Sequence, residues 1–154
     1  MKLRFSLFAL ALAVTASASA EQKLPVFNKE NVTVDADWLR DAVNAPARLY
    51  QTPEGYLVFT NGLVSRTFTL APNVASVGFD ELTTNTGFLR SIRPEAEVTI
   101  NGQRFEVGGL EGQPVYNYLL KEWIGNLTGK PTAFQFKSYR LEPTKPRFGW
   151  MKKM

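Results

Sequence analysis

Between residues 56 and 107, apolar and polar positions alternate in short runs separated by turn residues, the period-2 signature of strands with one buried face. Residues 56–60, the pair Asn61-Gly62 and residues 63–70 predict a hairpin, because Asn-Gly readily takes the positive φ angles of a two-residue primed turn. In its second strand Leu63, Ser65, Thr67 and Thr69 share one side. Val64, Arg66, Phe68 and Leu70 share the other, which is read as the core face. Arg66 is the exception on that face: a charge there either lies at the sheet's end or calls for a partner, with Asp80 or Glu81 the candidate for an ion pair that pins two strands.

The pattern continues with a third strand over 74–79 and a short fourth over 88–92. Residues 96–100, Asn101-Gly102 and 103–107 then repeat the hairpin grammar. The breaker-rich run 108–114 reads as a loop, 118–124 as a brief helix, and 133–141 as a late alternating strand. Before the strands, Asp35 or Asp37 caps a helical turn through Trp38, Leu39, Ala42 and Val43, which ends by Pro46. About seven short strands with turn signals between them predict a mostly-β fold: an antiparallel β-sandwich with one or two short helices.

The N-terminus departs from this pattern. Lys2 and Arg4 precede an apolar run over 5–14, and small residues lead to Ala18-Ser19-Ala20, the order of a cleavable secretory signal peptide with cleavage before Glu21. The run is half the roughly 20 residues that a membrane-spanning helix needs, and an uncleaved N-terminal anchor is the lesser alternative. The expected organisation is therefore signal peptide 1–20, lead-in segment 21–46 and β-sandwich domain 47–154. The expected location is secreted or periplasmic, and the expected membrane contact is only transient, through the signal.

Composition narrows the chemistry. The chain of 154 residues contains no cysteine and no histidine, which removes Ser-His-Asp and Cys-His catalysis, thiolate or imidazole zinc sites and haem ligation together. Cleavage takes Lys2 and Arg4 with it and leaves the basic residues nearly balanced by 14 acidic ones. Nucleic acid is not an expected partner, because the remaining bases are scattered; Lys145, Arg147, Lys152 and Lys153 near the end read as a solvated tail. No cofactor or metal is expected.

Carboxylates remain as candidate catalysts. Glu95 and Glu97 point to one face of a strand, and a pair of acids can run glycoside hydrolysis. Fourteen acids give such spacings by chance, so no catalytic residue is assigned. Gly108-Gly109-x-x-Gly112 lacks the Lys-Ser/Thr of a phosphate loop and reads as a turn. Tyr116, Tyr118 and Trp123, clustered after this loop, are the candidate carbohydrate contacts, with core packing the competing role of Trp123.

The stretch 60–68 (Thr-Asn-Gly-Leu-Val-Ser-Arg-Thr-Phe), together with Ser91-Ile92-Arg93-Pro94-Glu95-Ala96, Val107-Gly108-Gly109-Leu110 and Gly112-Gln113-Pro114, resembles the N-terminal β-sandwich region of large secreted bacterial α-galactosidase-like, carbohydrate-active proteins. The resemblance runs from about Trp38 to Trp150. In that family a separate barrel following the sandwich holds the catalytic carboxylates, so the resemblance implies an accessory or truncated N-terminal module here. A secreted, non-catalytic module associated with carbohydrate processing is thus the first expectation, with a glycan or a catalytic partner chain as its contact. A small carboxylate-dependent glycosidase and a structural remnant without a ligand are the alternatives.

Overall fold

A computed structural model describes residues 23–142 and residue 145. The signal-like segment through Ala20, and Arg147, Trp150, Lys152 and Lys153 at the basic end, lie outside the described residues. Five strands follow one another as an antiparallel meander: β1 (Arg48–Gln51), β2 (Leu57–Thr60), β3 (Val64–Thr69), β4 (Ala75–Glu81) and β5 (Thr86–Gly87). The first expected hairpin is β2–β3, but its turn is not the two-residue primed form. Thr60 pairs with Ser65, so a longer loop intervenes, and Asn61 stays outside the left-handed region that Gly62 occupies at φ +87°. The Asn61 side-chain oxygen accepts from the amides of Leu63 and Val64, each at 3.1 Å, and this local bonding replaces the primed geometry.

The third expected strand is β4. The fourth, 88–92, leaves the sheet almost at once: the Phe88 amide still donates to the Phe79 carbonyl, but the Ile92 amide donates to the Gln113 side chain and Ile92 is buried. Burying Ile92 in the core draws the chain off the sheet edge before a strand can continue.

The faces of the meander are the reverse of the sequence expectation. Register places Leu49, Phe59, Arg66 and Phe79 side by side, and Val64 opposite Glu81, on one surface. Val64, Phe59 and Phe79 are exposed there, whereas Val58, Thr60, Ser65 and Thr69 on the opposite surface are buried. The lead-in segment covers that second surface. Its helix α1 (Lys29–Val32) is capped by the Asn28 side chain; the Val34 amide donates to the Gly62 carbonyl, Phe27 meets the edge of Tyr50 at 6.1 Å, and Lys29 Nζ donates to Asn85 across the sheet. The hydroxyls beneath find backbone acceptors, Thr60 on Val64 and Thr69 on Ala71, both at 2.7 Å, which makes a Ser/Thr-lined interior tolerable. The helical turn expected after Asp37 is one turn at 38–40, where the Leu39 amide donates to the Asp37 carboxylate.

The remaining strands form two ribbons, β6 (Ala96–Ile100) with β7 (Gln103–Val107), and β8 (Leu110–Glu111) with β9 (Thr128–Gly129). The β6–β7 turn is the primed turn the sequence predicts, with Asn101 at φ +51° and Gly102 at φ +80°. Helix α2 (Lys121–Ile124) is the expected brief helix. The fold is thus mostly β, antiparallel in every sheet, with two short helices among the described residues.

The apolar core lies at one end of the meander, where Ala75 and Val77 of β4 meet Ile92, Leu110, Ile124 and Leu127. Two buried amides bind the loops to it. Gln113 accepts from the Ile92 amide and donates to the carbonyls of Arg90, Val115 and Tyr118. Asn73 donates to the Phe134 carbonyl and accepts from the Phe136 amide. That second pair explains why 133–141 is not the expected strand: a side chain takes the backbone groups a neighbouring strand would need, and only Phe134 bridges Val107.

Candidate functional site

The exposed surface of the meander carries one continuous transverse row. Leu49 pairs with Phe59, Phe59 with Arg66, Arg66 with Phe79, and the Phe88 amide bonds to Phe79 to extend the row beyond β5. At about 4.8 Å per strand, the row is about 19 Å long. Phe59, Phe79 and Phe88 are each between 42 and 50% exposed, unusual for three phenylalanines on one face, and the Phe79 and Phe88 rings lie 5.6 Å apart.

Arg66 sits at the centre of this row, held from behind. Its Nε donates to Ser76 Oγ at 2.9 Å, its Nη2 to Glu95 Oε2 at 2.8 Å, and its guanidinium carbon stands 5.0 Å from the centre of the Phe68 ring. Half of the side chain is still exposed, so it presents further N–H donors to solvent. Glu95 is available because β4 carries a bulge opposite Thr67 and Phe68. The Ser76 amide there is taken by Glu95 Oε1 at 2.5 Å.

The expected partners of Arg66 are corrected by this geometry. Asp80 pairs across the sheet with Ser65 and therefore lies on the opposite face. Glu81 shares a face with Arg66, but its two carboxylate oxygens accept from the amides and hydroxyls of Thr83 and Thr84 in the β4–β5 turn. Those bonds, the Thr83 hydroxyl foremost and then that of Thr84, hold the Glu81 carboxyl down at about 2, below its usual value of 4.5.

The three candidate aromatics separate into two settings. Tyr118 lies against the half-buried Trp123, ring centres 5.3 Å apart, and both stand beside the loop that Gln113 fastens. Tyr116 is stacked beneath the Arg93 guanidinium at 4.7 Å and faces a cleft of about 230 Å³ bounded by Pro94, Leu110 and Lys130. Tyr116 and Tyr118 remain largely exposed.

The carboxylate pair does not converge. Glu95 serves the meander, whereas Glu97 on β6 binds Arg104 of the neighbouring strand. Glu97 faces Glu106 across the ribbon, and Lys130 at 2.8 Å neutralises the latter. The glycine turn offers no anion cradle, since the Gly108 amide donates to Phe134 and the Gly109 amide to Val74. No group of three or more acidic side chains placed to hold a metal ion occurs among the described residues.

The phenylalanine row, Gln113 and Asn73 escape a reading of the sequence by motif. Arg66 was the available signal: an arginine in the middle of an apolar alternation marks that side of the strand as open to water. Comparison with protein-family models, curated proteins and solved structures finds no match for the chain.

Proposed function

We propose that this chain is a secreted, non-catalytic β module of carbohydrate processing that contacts glycan through the row Phe59, Arg66, Phe79 and Phe88. The exposed row is the observation that carries the reading. Phenyl faces complement the C–H faces of sugar rings, and a guanidinium fixed by Ser76 and Glu95 adds hydroxyl-directed donors without needing to be ordered on binding. The apolar leader and the resemblance to the first region of α-galactosidase-like proteins support the export and carbohydrate parts of the reading. Glu95 and Glu97 support no hydrolytic pair, as each is committed to a different arginine.

A glycan array probed with purified residues 21–154, displaying galactosides and plant and host polysaccharides, tests this reading. Saturable binding is expected, and Phe59→Ala or Phe79→Ala should weaken it about tenfold, the factor that 1.4 kcal/mol of lost contact represents. Trp123→Ala and Tyr118→Ala serve as the comparison: loss confined to those two moves the contact to the second aromatic group. The added apolar area of Leu49 and Val64 favours a second reading, in which the same face supports a catalytic partner chain. A folded protein that binds no glycan on the array selects that reading.

A further inference from the structure

The outer edge of β6 is unpaired among the described residues, and all five of its residues, Ala96 to Ile100, are exposed. The two-residue turn makes Ile100 and Gln103 a hydrogen-bonded pair, so the pairs alternate inward from there and Glu97 and Thr99 aim their backbone groups away from β7. The β7 side agrees with that assignment: the Glu106 carbonyl, opposite Glu97, turns outward to the Phe134 amide.

An open strand of this kind invites pairing, and native edges usually block it with charged side chains, proline or a bulge. This strand, Ala-Glu-Val-Thr-Ile, carries no proline and no lysine, and its one charge, Glu97, is already paired with Arg104 of its own ribbon. We infer that β6 pairs antiparallel with β6 of a second copy of this chain, about a two-fold axis at Val98. In that register Val98 meets Val98, Ala96 meets Ile100, and Glu97 meets Thr99. Every apolar residue then meets an apolar one, and no like charges stand directly opposite. Val98 and Ile100, 36 and 48% exposed, are covered on one face. On the other face each Glu97 keeps its own Arg104. The pattern is complementary to itself, which singles out a second copy over an unrelated strand.

The register fixes the test. Thr99 and Glu97 become the hydrogen-bonded pair between copies, so Val98 and its mate form a non-hydrogen-bonded pair with Cα atoms about 4.5 Å apart, inside the range of about 4.4–6.8 Å that a disulfide spans. The chain has no cysteine of its own. Under mild oxidation, purified Val98→Cys should cross-link to a dimer, and Thr99→Cys, which faces residue 97 of its mate, should cross-link at least about tenfold more slowly. Sedimentation equilibrium should show a reversible dimer that Val98→Lys and Thr99→Pro abolish, the proline removing an outward amide without touching the ribbon's own bonds. Thr99→Val, which keeps that amide, should retain the dimer. A protein monomeric at about 0.1 mM, well above the Kd of about 1 μM that would mark a specific dimer, overturns the inference, as does equal cross-linking at positions 98 and 99. Thermal melting of each variant separates lost pairing from lost folding.

Discussion

The Gln113 side chain gathers backbone groups from four separate residues, 90, 92, 115 and 118, onto one buried amide. Gln113→Leu leaves those groups without partners in a site closed to water, so a loss of about 3 kcal/mol is expected, read as a lowered urea midpoint at unchanged slope. Gly108 is constrained differently: it sits at φ +62°, and a Cβ there would stand 2.4 Å from the Val74 carbonyl oxygen. Gly102, at φ +80°, faces open space. Gly102→Ala should therefore cost about 1 kcal/mol of left-handed strain, and Gly108→Ala on the order of 3 kcal/mol, since the backbone must also move. Glu81 supplies a pH dependence. Its folded carboxyl is held near 2, below the ordinary 4.5, so its contribution is complete above pH 4.5 and is lost as the pH falls toward 2. Melting temperatures of the parent and Glu81→Gln should converge across that window and differ above it. Convergence is not expected if the threonine bonds fail to form.

At the scale of elements, local chemistry was legible wherever it was self-contained. Asn101-Gly102 makes the primed turn with both residues at positive φ, whereas Asn61 spends its side chain on Leu63 and Val64 and the same dipeptide builds a longer loop. Elements whose partner is distant in sequence were not legible. Residues 133–141 alternate like a strand, yet Asn73, some sixty residues earlier, intercepts their backbone. The meander's faces have the same origin: residues 23–34 lie over the Ser/Thr side of β3, and within β3 only Arg66, by marking its own side as open to water, hints at that cover. Lys29 and Val34 tie this cover to Asn85 and Gly62. Removing residues 21–34 should therefore unfold the meander cooperatively, lowering near-UV circular dichroism together with stability; an unchanged melt would make the segment a mere appendage.

At the scale of the whole molecule, two features among the described residues face solvent that a self-contained globule would hide. One is the open edge of β6 and the other is the phenylalanine row. Class and strand content follow from alternation and turn chemistry, so the sequence discloses a mostly-β antiparallel chain. The row is disclosed only by register, which sets Phe59, Phe79 and Phe88 in line with Arg66 although 29 positions separate the first from the last. Tyr116, Tyr118 and Trp123 stand out in the sequence by clustering after the Gly-rich loop, yet the longer apolar platform is built from Phe. Glu95 completes it by crossing from the loop before β6 to the bulge of β4, a contact that strand pattern alone does not foretell.

The most direct measurement is an amide chemical-shift titration of isotope-labelled residues 21–154 with the galactoside or polysaccharide fragment that binds best. The proposal requires saturable shifts at Phe59, Arg66, Phe79 and Phe88, and little change at Tyr116, Tyr118 and Trp123. Shifts confined to the second group, or none from a folded sample, would contradict the assignment of the meander face as the glycan contact.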